Sequence, residues 1–192
     1  MDCSRSEYLE HRKALARAVF LTGMPGVGKT TVLLKTVKAL EQRGLKPGGM
    51  ISREAREGGL RVGFELLDVQ TGRTGWLSHV RNPSGPVVGK YRVNLADLDS
   101  VGVKAIEEAV TRREVCLVVI DEVGPMELFS SAFREAVRKA LLSPKPLLGV
   151  LHRKARDPLI AEIKSNPRVT LIEVTYGNRD RLPESIARSM LE

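Results

Sequence analysis

The sequence predicts an α/β fold: a mainly parallel sheet flanked by helices, with an antiparallel β-hairpin insertion over residues 58–93. Three observations carry this. Apolar runs of strand length alternate with helix-period stretches along the chain. One run, Val115 to Ile120, is apolar on both faces, as a central parallel strand requires. Between the flanking α/β segments lies a stretch of alternating residues with Gly58, Gly59, Gly63, Gly72, Gly75, Gly85 and Gly89, which reads as hairpin material.

Taken in order, residues 4–16 have the pattern of an amphipathic helical extension ahead of the core. Ala18 to Thr22 is a short apolar strand that runs into a Gly-rich loop. A helix follows over 29–43, closed by Gly44 as the residue after its C-cap. Gly48 to Arg53 reads as a second strand, and the insertion comes next. About 35 residues bury too little apolar surface to fold alone, so the insertion is read as part of a single domain spanning 1–192. A helix is expected over 96–112, then the Val115–Ile120 strand, then a helix over 130–142 capped by Ser130 or Ser131. Leu147 to Leu151 is a strand. Asp157-Pro158 opens a short helix, with Asp as N-cap and Pro at the first helical position. Val169 to Thr175 is the last strand, and a helix from Leu182 to Leu191 closes the chain.

Composition narrows the function classes. The chain has 192 residues, 42% apolar and only 4% aromatic, so the core is mainly aliphatic. No apolar run approaches the roughly 18–20 residues that span a bilayer. No secretory pattern is visible at the start, and a cytoplasmic protein is expected. Cys3 and Cys116 lie far apart in sequence, and neither a disulfide nor a metal framework is expected. The net charge is +8, but the positive residues are scattered and form no run of five or six. Attraction for anionic nucleotides accounts for that balance, and a nucleic-acid partner is not favoured.

The chemistry concentrates in two segments. Gly23-Met24-Pro25-Gly26-Val27-Gly28-Lys29-Thr30, followed by Thr31, matches G-x-x-x-x-G-K-[ST] in full, between an apolar strand and a helix-period segment. Glycines let such a loop curl with its N–H groups inward, a nest for phosphate oxygens, and the helix N-terminus adds its partial positive charge. Lys29 then reaches the β- and γ-phosphates of a nucleoside triphosphate, and the Thr30 hydroxyl ligates Mg²⁺. The second segment is Leu117-Val118-Val119-Ile120-Asp121-Glu122-Val123-Gly124. An acidic residue at the tip of such a strand holds the metal in phosphate-loop enzymes, which makes Asp121 the second expected Mg²⁺ ligand. Glu122 beside it is placed to orient or deprotonate the attacking water. The two motifs suggest the branch of phosphate-loop proteins with an extra strand between the loop strand and the acidic strand, and Gly48–Arg53 fits that extra strand.

With these motifs in place, the sequence resembles the thermostable nucleoside-triphosphatase family, whose animal relatives are called cancer-related nucleoside triphosphatase. Four stretches carry the resemblance: Val19 to Thr31, Glu54 to Phe64, Val119 to Leu128, and Val174-Thr175 with Asn178-Arg179 and Leu182-Pro183. The chain departs from the family in its first 16 residues, which precede the usual start, and at Pro125, where the family usually has Lys. The resemblance implies a P-loop NTPase fold and Mg²⁺-dependent hydrolysis of ATP, GTP, CTP and UTP with modest base discrimination. It also draws attention to Arg56, in a loop after the second strand, as a catalytic arginine finger or as a partner of Glu54 or Glu57.

Other residues follow from position. Asn178 and Arg179 come after the last strand, where nucleotide bases are commonly placed, and are candidate nucleotide-binding residues. His152, after the Leu147–Leu151 strand, is a candidate γ-phosphate sensor. Glu127 is either a neighbour of the acidic pair or a helix cap. Two rival readings share the same loop. A nucleotide or small-molecule kinase needs an Arg-rich lid, for which Arg153-Lys154-Ala155-Arg156 is the nearest match. A nucleotide-gated nucleic-acid-binding module is kept open by the basic charge.

Overall fold

A computed structural model describes residues 18–192; the helix expected over 4–16 lies outside the described residues. Nine strands form one sheet: β1 (Ala18–Gly23), β2 (Pro47–Glu57), β3 (Leu60–Asp68), β4 (Thr74–His79), β5 (Val87–Val88), β6 (Tyr91–Val93), β7 (Leu117–Val123), β8 (Leu147–Leu151) and β9 (Val169–Val174). Their spatial order is β5-β6-β4-β3-β2-β7-β8-β1-β9. The half from β2 to β9 is parallel, and β3 to β6 extend it as antiparallel neighbours.

Two helical layers cover the parallel half. Helices α1 (Lys29–Gln42) and α5 (Leu182–Ser189) bury Val32, Leu33, Val37, Leu40, Ile186 and Ala187 against Val19, Leu21, Val119, Leu148 and Val150. Helices α2 (Lys104–Thr111), α3 (Ser131–Leu142) and α4 (Pro158–Ser165) cover the other face, where Ile106, Phe133, Val137, Leu159 and Ile163 meet Phe20, Val118 and Ile120. The period-2 alternation of β1 divides the layers: Ala18 and Phe20 face one, Val19 and Leu21 the other.

Helix ends follow local chemistry. Gly44, at φ 89°, closes α1: its N–H bonds to the Glu41 carbonyl at 2.9 Å, and the Leu45 N–H to the Leu40 carbonyl at 3.1 Å. That is the bonding of a Schellman stop, which satisfies carbonyls the helix leaves open. The Ser130 side chain accepts from the Phe133 N–H at 3.0 Å and caps α3, and Asp157 caps α4 through the Leu159 N–H at 2.9 Å with Pro158 at the first position. Such caps contribute about 1 kcal/mol each. The helix expected over 96–112 is divided: a turn Leu95–Asp97 capped by Asn94, a π-helical stretch Leu98–Val103, then α2.

Three expectations are corrected. The strand between β1 and β7 is β8, not Gly48–Arg53, which pairs with the outer side of β7. All five β8 residues are buried, as an inner strand demands, whereas β2 turns polar at Ser52 and Arg53 and runs out into an exposed hairpin. The acidic pair does not follow the strand but lies inside it, since β7 continues to the buried Val123. Cys116, half-buried beside β7, is disulfide-bonded.

The close fit of β8 depends on Gly149, in register with Phe20 on β1 and Ile120 on β7. A Cβ there would lie 2.6 Å from Phe20 Cε1. The absent side chain leaves room for the Phe20 ring to lie across the strand.

Candidate active site

The site forms where β1 and β7 end at the same edge of the sheet, with β8 between them. Gly23 leaves β1 at φ 149° and passes so close to β9 that a Cβ would lie 2.6 Å from the Val174 carbonyl oxygen. Val27 is buried and anchors the loop. Gly28 takes the N-cap position of α1 at φ 104°, and no side chain caps the helix. The donors of the first turn therefore lack the side-chain partner that Ser or Asp would supply, the arrangement that receives an anion. Lys29 lies back over the loop, its Nζ donating to the Gly23 and Met24 carbonyls at 3.4 Å each. Thr31 is exposed on the next turn.

Across β8, Asp121 is 1% exposed, and the Thr30 side chain is its polar neighbour. Burial pushes the Asp121 carboxyl up to about 7 and the nearby Glu122 charge adds to this, while Thr30 and Lys29 oppose it. Glu122 is also raised, chiefly by burial, with Lys29 and His152 pulling the other way. The peptide joining the two is cis. Glu127 is buried beneath them and pushed up to about 8 by burial, then by Glu122 and Asp121. Gly124 makes room for this crowding: a Cβ there would sit 3.2 Å from Glu127 Oε2 and 3.4 Å from Glu122 Cγ.

Asp121 Oδ2 and Glu122 Oε1 are buried without a hydrogen-bond partner. Two orphaned carboxylate oxygens beside a hydroxyl fit a hard divalent cation. Among the described residues no three His, Cys, Asp or Glu side chains close a cage around an ion.

The remaining expected residues divide. His152 enters the site's surroundings: its backbone N–H bonds to the Val123 carbonyl at 3.1 Å, and it lies near enough to Glu122 to favour that carboxylate's charged form. Arg179 comes to the loop, donating from Nη1 to the Val27 carbonyl at 3.4 Å. Asn178 instead shapes its own turn, accepting from the Thr175 N–H at 2.8 Å and donating to the Glu173 carbonyl at 2.9 Å. Arg56 is engaged away from the loop, bonded to Glu54 at 2.6 Å and to the Gly59 carbonyl at 3.0 Å. Ile51 is the last β2 residue paired with β7, opposite Asp121. At about 3.3 Å per residue, Arg56 lies roughly 16 Å further along the strand. Sequence reasoning passed over Tyr176, which is 69% exposed and carries Arg179 over its ring at 5.1 Å. An isolated tyrosine matches no motif, and only the fold brings it beside the loop.

A Gly-rich loop feeding an uncapped helix stands opposite buried carboxylates at the same sheet edge of an α/β protein. A family model described as NTPase matches residues 18–187, and the chain belongs to that family. It is 49% identical over 176 residues to "Nucleoside-triphosphatase THEP1" of Thermofilum pendens, covering 91% of this chain and 96% of that protein. It is 48% identical over 175 residues to the protein of the same name from Methanosarcina acetivorans, covering 90% and 96%. The fold is similar to the crystal structure of THEP1 from Aquifex aeolicus, with a TM-score of 0.78 at 32% identity over 90% of this chain and 98% of that one. It is also similar to the solution structure of a human cancer-related nucleoside triphosphatase, with a TM-score of 0.77 at 35% identity over 91% and 97%. Among the described residues, no helix is long and apolar enough to cross a membrane.

Proposed function

We propose that this chain hydrolyses nucleoside triphosphates (ATP, GTP, CTP and UTP) to the diphosphate and phosphate, with Mg²⁺. The observation that carries the proposal is the meeting of Thr30, from the loop, with the buried Asp121 from a different strand. In a phosphate-loop enzyme these are the two groups that share the metal, and the relatives named above carry the same activity in their names.

In this reading Gly23 to Thr30 cradle the phosphates, and Lys29 turns from its loop carbonyls to the β- and γ-phosphates. Thr30 and Asp121 would hold Mg²⁺, which would supply neutralisation of phosphate charge. Glu122 holds the attacking water in line and accepts its proton as the water oxygen bonds to the γ-phosphorus. The bond from that phosphorus to the β,γ-bridging oxygen breaks, and the diphosphate leaves with the electron pair. Burial that raises Glu122 makes it a better proton acceptor than an exposed carboxylate. Phosphoryl transfer asks little else of a protein than positioning and charge.

The test is ³¹P NMR of turnover in H₂¹⁸O without any acceptor. Equal amounts of diphosphate and ¹⁸O-labelled phosphate are expected. Turnover only after adding a hydroxyl acceptor, or label in the diphosphate, would refute hydrolysis at the γ-phosphorus.

A further inference from the structure

The turn after β9 presents a feature that phosphate binding does not use. Tyr176 is among the most exposed large side chains, at 69%, yet it is not loose. The Arg179 guanidinium sits over one face of its ring, 5.1 Å from the centroid. The same guanidinium is tied to the Val27 carbonyl at 3.4 Å, and Arg179 Cδ lies 3.8 Å from where a Cβ on Gly28 would be. Arg179 thus fastens the tyrosine to the phosphate loop at the start of α1. With one ring face on Arg179 and most of the residue in solvent, the other face is open.

Leaving a large ring exposed gains no burial energy, so packing does not account for its position. Ordering it against the loop costs side-chain entropy. Asn178, the nearest group suited to reading a base edge, spends both of its polar atoms on its own turn. The turn therefore offers an open π-face, with the Asn178 side chain held back in the turn.

We infer that the open face of Tyr176, held by Arg179, is the platform on which the nucleobase stacks, and that this platform discriminates little among bases. The inference rests on the phosphate-loop reading above. Every base has a π-face, so stacking tolerates all four where hydrogen-bond readout selects one. Arg179 acts as a positioning residue, linking ring to loop so that a base on Tyr176 and phosphates on the loop belong to one ligand.

The experiment compares the parent with Tyr176→Ala, Tyr176→Phe and Tyr176→Trp. For each, KM and kcat are measured for ATP, GTP, CTP and UTP, with inhibition constants for inorganic tripolyphosphate as a base-free competitor. Stacking of this kind predicts a rise of about 5- to 100-fold in KM for all four nucleotides in Tyr176→Ala, larger for purines. The tripolyphosphate inhibition constant stays within twofold, and Phe and Trp restore KM. A KM within twofold of the parent in Tyr176→Ala overturns the inference while leaving the phosphate-loop reading intact. So does a parallel rise for tripolyphosphate, which would mean a disturbed loop and not a lost base contact. A parent chain that binds no nucleotide overturns the phosphate-loop reading and this inference with it.

Discussion

The Thr30 side chain, in the first turn of α1, comes to the carboxyl of Asp121 on β7 and favours its charged form, although β8 separates their strands. Neither residue is near the other in sequence. The glycine at the centre of β8 and the turn out of β1 bring them together. If this pair holds the metal, Asp121→Asn weakens Mg²⁺ dependence and nucleotide retention together. Metal stabilisation of phosphate charge is worth several kcal/mol, so turnover falls about 10²–10³-fold. A Mg²⁺ titration of turnover and nucleotide binding reads this; an unchanged Mg²⁺ midpoint in Asp121→Asn counts against the assignment.

Glu122→Gln is expected to keep Mg²⁺-nucleotide binding and lose about 10²–10⁴ in kcat, the usual worth of a general base. Glutamine keeps the size and a hydrogen bond but takes no proton. Single-turnover kinetics with a separate binding measurement distinguish the two effects. Normal turnover in Glu122→Gln alongside a dead Glu127→Gln would move the water-activating role to Glu127.

Glu127 makes a pH prediction. Its folded carboxyl titrates at about 8 against an ordinary value of 4.5. The folded state therefore keeps a proton that the unfolded chain has released above pH 4.5. This contribution is fully present below that pH and is lost as pH rises through 8; Asp121, raised to about 7, acts in the same direction. The Tm of the metal-free protein should fall from pH 5 to pH 9, and Glu127→Gln should flatten the fall. At about 2–4 °C per kcal/mol for a chain of this size, a difference of several degrees at pH 9 is expected. Parallel Tm–pH curves for the two proteins would contradict it.

Arg56→Ala is expected to change kcat by less than about threefold, far below the 10³–10⁵ of an arginine finger. Glu54 already holds Arg56 at 2.6 Å and Arg61 at 2.6 Å on the exposed hairpin, and exposed ion pairs contribute little. A loss of tenfold or more in kcat with unchanged nucleotide affinity would show that the hairpin delivers Arg56 to the phosphates during turnover.

Local chemistry was legible in the sequence, and spatial order was not. The turn from β1 through the Gly-rich loop into α1, the Ser130 and Asp157 caps and the Gly44 stop are each set by a few neighbouring residues, and each is where the pattern places it. The position of β8 between β1 and β7 depends on crossovers, and Leu147–Leu151 is as apolar as other inner strands, so periodicity carries no sign of the order. Asp121 and Glu122 read as the acidic tip of the strand because nothing in their own chemistry says that β7 runs on to Val123. Arg56 was open between a finger and a partner of Glu54 or Glu57, and Glu54, two residues back on the same strand, takes it. Glu127 could be read as cap or neighbour until its burial was seen, and Tyr176 has meaning only once Arg179 lies over it.

The most direct test of the account is phosphate release from ATP, GTP, CTP and UTP by the parent and by Lys29→Ala, each with Mg²⁺ and with EDTA. The account predicts release by the parent from all four nucleotides, dependent on Mg²⁺, and none above background from Lys29→Ala, whose ammonium is the loop's only side-chain cation for the β- and γ-phosphates. Lys29→Ala turning over at the parent rate, or a parent whose release is untouched by EDTA, would contradict it.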